Sequence, residues 1–108
     1  MIYFITDTIN IKIGYTKNSI EKRLKQLQTS NSNTLYLLGW VDGDMDFEKR
    51  LHSLFASSRI RSNGEWFRPT QDLIDYINSN NKNKNSYVDF VDGKLMSLFK
   101  ISLSNKDY

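Results

Sequence analysis

Bulky apolar residues crowd the start of the chain, and residues 1–7, Met-Ile-Tyr-Phe-Ile-Thr-Asp, read as a strand. Residues 11–16, Ile-Lys-Ile-Gly-Tyr-Thr, alternate with period two and predict a second strand. The four-residue connection 7–10 joins them as a hairpin. Asn18 and Glu21 have the spacing of a capping box and predict a helix to about Thr29 on the stripe Ile20, Leu24 and Leu27. The polar residues 30–33 end it. Residues 34–41 predict a third, more buried strand. Asp44 can cap a second helix from about Met45 to Ser58, with Phe47, Leu51, Leu54 and Phe55 as its apolar face. Trp66 and Phe67, in Gly-Glu-Trp-Phe, read as core residues closing the sheet. Pro69-Thr70 opens a last short helix, with Asp72 in its first turn and Leu73, Ile74 and Ile77 apolar.

Beyond that helix the apolar signal collapses. Residues 78–85, Asn-Ser-Asn-Asn-Lys-Asn-Lys-Asn, offer nothing to bury and read as an exposed linker. Residues 87–91 and 94–101 flank Asp92-Gly93, a strong hairpin signal. An isolated hairpin is marginal in water, so this one is expected to extend the first sheet or to mediate self-association. The predicted fold class is α+β: a small three-stranded antiparallel sheet flanked by helices, ββαβαα, plus a C-terminal β-hairpin. The predicted organisation is a compact domain over 1–77, an Asn-rich linker over 78–85, and a hairpin and tail over 86–108. Leu24, Leu27, Leu51, Phe55 and Trp66 are expected to share one core.

Composition narrows the chemistry. The 108 residues suit one domain with an appendage. The absence of cysteine excludes disulfide scaffolds, thiolate zinc sites and cysteine nucleophiles, and the single histidine, His52, excludes HExxH-type zinc sites. No apolar run approaches the roughly 20 residues of a membrane span, and the N-terminus lacks a signal-peptide pattern. A soluble, cytoplasmic protein with no membrane contact is expected. High Asn and Lys usage suggests an AT-rich genome, such as that of a phage or other mobile element.

The net charge of +3 matters less than its distribution. Lys12, Lys17, Lys22, Arg23 and Lys25 form one basic stretch. Lys49, Arg50, Arg59, Arg61 and Arg68 form another. Asp42, Asp44, Asp46 and Glu48 lie between them. The pattern suits phosphate binding beside a metal, and it equally suits a solvated mixed surface.

Several polar residues occupy positions that packing does not require. Tyr3 and Lys12 fall on one face of the predicted hairpin, and Gly14 opposite Tyr3 leaves room for a ligand backbone. They also read as an ordinary half-buried tyrosine, a solvated lysine and a bulge glycine. Arg23 stands at the edge of the first helix's apolar stripe, where it either snorkels or presents its fork to a phosphate. Glu48 and His52, at i and i+4, either hold a divalent metal together or make a plain helical contact. Glu65 reads as a supporting group, a lid contact, or nothing.

Taken together, these residues resemble the GIY-YIG endonuclease superfamily. Its first motif stands as Met1-Ile2-Tyr3 and its second as Lys12-Ile13-Gly14. The detail is similar to the phage-rich branch that includes the meiotically up-regulated gene 113 group. That likeness rests on Lys12-Ile-Gly-Tyr-Thr16, Arg23-Leu-Lys-Gln-Leu-Gln28, Glu48-Lys-Arg-Leu-His-Ser-Leu-Phe55 and Gly64-Glu-Trp-Phe67, four motifs in order.

The resemblance implies a metal-dependent endonuclease that hydrolyses DNA phosphodiester bonds with Mg²⁺ or Mn²⁺. It implies Tyr3 as general base or activator of the attacking water, with Lys12 in the place of the second motif's tyrosine. Tyr15 would stand beside the phosphate, Arg23 on the scissile phosphate, and Glu48 as metal ligand, with His52 also in the catalytic set. Asn63 is the nearest candidate for the asparagine that often closes the site. Lys17, Lys22, Lys25, Arg50, Arg59 and Arg61 are the candidate DNA-binding cations. Two rival readings share the scaffold: a catalytically idle DNA-binding or regulatory module, and an interaction protein that uses the fold for docking. So small a nuclease has little surface for sequence readout, so a homodimer or a partner protein is a further expectation.

Overall fold

Strand β1 (Ile2–Thr6) carries five consecutive buried residues because both its faces and both its edges are covered. Antiparallel β2 (Ile11–Tyr15) pairs with one edge and β3 (Tyr36–Val41) with the other. In the computed structural model, which describes residues 1–100, α1 (Ile20–Thr29) links β2 to β3. After β3 come α2 (Met45–Leu54), a 3₁₀ turn (Ala56–Ser58), β4 (Trp66–Phe67), α3 (Gln71–Asn80), β5 (Ser86–Val91) and β6 (Lys94–Phe99). Ile101, counted in the expected last strand, and the rest of 101–108 lie outside the described residues.

The α+β class holds, with four strands in the main sheet rather than three, in the order β3-β1-β2-β4. β4 is only two residues long, too short to show an alternation. Its ladder to β2 pairs Ile11 with Phe67 and Lys12 with Trp66.

The expected single core is in fact two, one on each face of the sheet. Directly paired residues in an antiparallel ladder share a face, and faces alternate along a strand. Ile2, Phe4, Ile11 and Ile13 therefore face one way, where Leu51 and Phe55 of α2, Leu73, Ile74 and Ile77 of α3, and Val88 and Leu95 of the hairpin close over them. Tyr3 and Ile5 face the other way, toward Ile20 and Leu35. Leu24, Leu27, Trp40 and Trp66 cover them and stay partly exposed.

Three local expectations also shift. The cap of α1 is Ser19, whose hydroxyl accepts from Lys22 N, rather than Asn18. Helix α2 stops at Leu54, which is 65% exposed, because Phe55 leaves helical geometry to enter the core. Asp44 does cap α2, accepting from Phe47 N at 2.9 Å.

Residues 78–85 are not an exposed tether. Helix α3 runs through Asn80, and Asn81 is only 3% exposed. Its Oδ1 accepts from Trp40 N and Asn83 N, and its Nδ2 donates to Leu38 O. A Cβ at Gly39 would run into this amide, so glycine there lets Asn81 reach the irregularity in the β1–β3 register. Asn78 likewise exchanges two hydrogen bonds with the Val88 backbone, at 2.7 and 3.0 Å. Asparagine amides supply donor and acceptor together, which is how a polar run can brace a core.

The hairpin forms its own two-stranded sheet and docks on the first domain rather than extending its ladder. Asp92 and Gly93 both have positive φ, 52° and 79°, as a type I′ turn requires. Leu95 is fully buried, and its N–H donates to Thr8 O at 2.9 Å.

Candidate functional site

Tyr3 of β1 pairs across the ladder with Gly14 of β2, and Lys12 lies diagonally on the same face, as the alternation predicts. The space beside Gly14 is not free for a ligand: a Cβ there would overlap the Tyr3 ring. The phenol itself fills the gap, and Tyr3 is 1% exposed. From α1, Arg23 Nε donates to the Tyr3 hydroxyl at 3.4 Å, and its NH1 donates to Gln26 Oε1 at 3.3 Å. Helix α1 thus sets a cation on the one polar atom of a buried ring. The NH2 group of Arg23 has no partner among the described residues.

Lys12 is held from the other side. Its Nζ pairs with Glu65 Oε1 at 3.1 Å and lies 5.7 Å from the Trp66 ring centroid. The β2–β4 pairing that sets Trp66 beside Lys12 brings Glu65 to β2 as well, and Ile13 N donates to Glu65 O at 2.9 Å.

Helix α2, which covers the opposite face, reaches the outer edge of β2 at Ile13. His52, 7% exposed, has Nε2 2.9 Å from Ile13 O. Its Nδ1 lies 3.2 Å from Arg59 NH2. Arginine only donates, so Nδ1 must accept and the ring proton sits on Nε2. Arg59 also donates Nε to Gly64 O at 2.7 Å and lies over the Phe67 ring. Both ring nitrogens of His52 are therefore spent inside the protein, so the i, i+4 pair with Glu48 does not present two metal ligands in this arrangement.

The half-buried Glu48 carboxylate has no hydrogen-bond or ion-pair partner among the described residues. Burial pushes its pKa above the usual carboxylate value, and the Glu65 charge pushes it further. His52, Lys12 and Lys49 oppose the shift. Among the described residues no cluster of three or more His, Asp or Glu side chains is placed to hold a metal. An unpaired, partly desolvated carboxylate near a second one nonetheless fits a hard divalent cation. Mg²⁺ commonly takes one or two carboxylates and keeps several waters.

Tyr15 does not join the set. It pairs with Ile2, so it falls on the opposite face and packs against the larger cluster. Asn63 is exposed in the loop before β4. Lys17, Lys22, Lys25, Arg50 and Arg61 are exposed, and Lys22 and Lys25 line a shallow recess at the start of α1 with Asn18, Ser19 and Glu21. Arg59 differs from the other cations, because its guanidinium is committed to His52 and Gly64.

The residue that sequence reasoning underrated is Glu65, which holds Lys12 and raises Glu48. Its signal was the Gly-Glu-Trp-Phe motif, in which a charged residue precedes two core aromatics. No helix of the described residues is long and apolar enough to cross a membrane.

A family model described as "T5orf172 domain" matches residues 1–81, which take in the four-stranded sheet and all three helices. No curated protein and no solved structure matches the chain.

Proposed function

The chain belongs to the T5orf172 domain family, and from that premise we propose that it is a metal-dependent endonuclease that hydrolyses DNA phosphodiester bonds. The family is related to GIY-YIG-type domains and is nuclease-like or DNA-binding in general. The observation that carries the proposal is Arg23, held at 3.4 Å on the Tyr3 hydroxyl, on the sheet face that Lys12 shares.

Arg23 binds the scissile phosphate through its unspent NH2 and offsets charge that builds up on the phosphoryl oxygens. The Tyr3 hydroxyl accepts from Arg23 with one lone pair and keeps another to orient the attacking water. Lys12, diagonal to Tyr3 on the same face, would offset negative charge on the attacking oxygen. Glu48 would be the protein ligand for Mg²⁺ or Mn²⁺, beside the charge of Glu65. Such an ion would supply Lewis-acid polarisation of the phosphoryl group. His52 acts as a positioning residue: it fixes the β2 edge at Ile13 and orients Arg59. Lys17, Lys22, Lys25, Arg50 and Arg61 supply non-specific phosphate contacts. In this reading the chain works on DNA in the cytoplasm of a cell or infected host, and a second copy or a partner protein adds sequence readout.

A second reading draws on the burial of Tyr3 and the Lys12–Glu65 pair, which leave both groups engaged: a DNA-binding module of the same family that does not cut. Incubating purified chain with supercoiled plasmid separates them. Nicking that requires Mg²⁺ or Mn²⁺ and slows in Tyr3→Phe supports the nuclease. Binding without nicking under any divalent cation supports the module.

A further inference from the structure

A cleft of about 460 Å³ opens beside the candidate site, between the β1–β2 turn, the end of α1 and the loop before β4. Its volume lies in the range of small-molecule sites, roughly 300–1,000 Å³. Trp66 forms one wall, and the Trp66 ring is the same one that stands 5.7 Å from Lys12 Nζ. Through Trp66 the cleft therefore adjoins the proposed chemistry. Ile60, also in the lining, is 42% exposed despite its size, so the aromatic wall continues into open apolar surface.

The polar lining is unspent. The Asn10 side-chain amide makes no hydrogen bond among the described residues. Asn31 uses Oδ1 to accept from Asn33 N, which leaves Nδ2 without a partner. Asp7 accepts from Ile9 N and Asn10 N with Oδ1 alone, which leaves Oδ2. Arg61, exposed at the rim, is a cation with no ion-pair partner among the described residues.

We infer that this cleft takes one unpaired nucleobase of the nucleic-acid strand that the adjoining site handles. The ligand class follows from the combination. A phosphate alone has no use for Trp66 or Ile60, and the Asp7 carboxylate would repel it. A purely apolar ligand would strand the amides and the Asp7 carboxylate. A nucleobase offers a flat face for the indole, a mixed donor and acceptor edge for Asn10, Asn31 and Asp7, and a flanking phosphate for Arg61. Base–aromatic stacking contributes to single-strand binding for every base, and asparagine amides read adenine bidentately. A base inside a duplex has its pairing edge occupied and its faces stacked, so only an extruded or single-stranded base enters a concave pocket. The inference rests on the nucleic-acid reading above and narrows its substrate to strands with an accessible base.

The test is fluorescence anisotropy in EDTA. It uses the 108-residue chain and three labelled probes: a fully paired DNA duplex, the same duplex with one bulged adenine, and the bulged duplex made of RNA. Preference for the bulged DNA over the paired duplex by at least tenfold is expected. It should fall below threefold in Asn10→Ala/Asn31→Ala and in Trp66→Leu. The asparagine pair lies outside both cores, so that variant is expected to keep its circular dichroism spectrum and melting curve if Trp66→Leu does not. A stronger response to the RNA bulge keeps the inference and makes RNA the source of the base. Equal affinity for paired and bulged probes, or a preference that the asparagine variant leaves intact, overturns it. A chain that never cuts yet keeps the preference removes the nuclease reading alone. A chain that cuts but binds all probes alike removes the cleft reading alone.

Discussion

The two faces of the main sheet are built to different standards. On one, fourteen buried apolar side chains from every layer, β1, β2, β3, β4, α2, α3 and the hairpin, form a continuous cluster among the described residues. On the other, the buried apolar cluster among the described residues is Tyr3, Ile5, Ile20 and Leu35, under a single ten-residue helix whose Leu24 and Leu27 remain half-open. The first face is apolar throughout its buried cluster, and the unpaired Glu48 of α2 stands outside that cluster. The second holds Tyr3, Lys12 and Arg23, an ion pair and the 460 Å³ cleft. The alternation of β1 and β2 thus sends even positions of β1 to the core and Tyr3 to the site, while Glu48 comes to it from α2, the helix that covers the core face. Functional surfaces are drawn from the less stable parts of a fold, because a group that must meet a ligand cannot be sealed.

The sharpest way to break this comparison is to truncate one leucine on each face. Leu51→Ala, on the sealed face, is expected to cost roughly 2–5 kcal/mol in urea unfolding. Leu24→Ala, on the thin face, is expected to cost less than half as much, since part of its surface is already in water. Equal costs would mean the two faces contribute alike.

Next comes Arg23→Ala, which should weaken DNA binding by roughly 1.5–3 kcal/mol, the range of a charge-assisted contact, with almost no change in melting temperature. A large drop in stability with unchanged affinity would make Arg23 a packing residue. Asn81→Ala should cost about 1–3 kcal/mol, because Leu38 O and Trp40 N lose their partner. This variant asks whether the polar run after α3 belongs to the sealed face.

The smallest effect concerns Glu48. Burial and the Glu65 charge hold its carboxyl above the usual range, so the folded chain retains a proton that the unfolded chain releases. Folding stability therefore falls as pH rises from the unfolded value through the raised folded one, and the penalty is complete above that window. In metal-free protein Glu48→Gln should be slightly more stable than wild type at pH 7, by a margin that solvent screening of a partly exposed carboxyl keeps small, and the gain should vanish at acid pH below the unfolded carboxyl's range. Mn²⁺ should raise the melting temperature of wild type only. Thermal scans across pH, with and without Mn²⁺, check both signs.

The legible parts of the molecule were those where local chemistry decides. Asp44 as a cap, the apolar stripe of α3, the Asp92-Gly93 turn and the shared face of Tyr3 and Lys12 all follow from nearest-neighbour rules. The illegible parts depend on tertiary partners. Helical periodicity put Leu54 on the buried stripe, but the chain turns at Phe55 and leaves it in solvent. Asparagine composition marked 78–85 as a tether, yet Asn78 and Asn81 each meet unpaired backbone groups ten or more residues away. Tyr15 looked like a site residue by motif, and its ladder pairing with Ile2 turns it to the far face. Gly14 promised room that only the rotamer of Tyr3 could grant or withhold. Glu65 was visible as an odd charge before two aromatics, but its effect on Lys12 and Glu48 requires the β2–β4 pairing.

The central claim, that the Tyr3–Arg23 face and the Glu48 edge form one phosphodiester-cleaving site, meets its most direct test in Glu48→Ala. Plasmid cleavage with Mn²⁺ and DNA affinity in EDTA are measured on the same protein preparations. The account predicts that cleavage is lost while affinity is unchanged or tighter, because a negative charge beside the phosphate has gone. Cleavage that persists in Glu48→Ala, or wild-type protein that binds DNA and cuts it with no divalent metal, would contradict it.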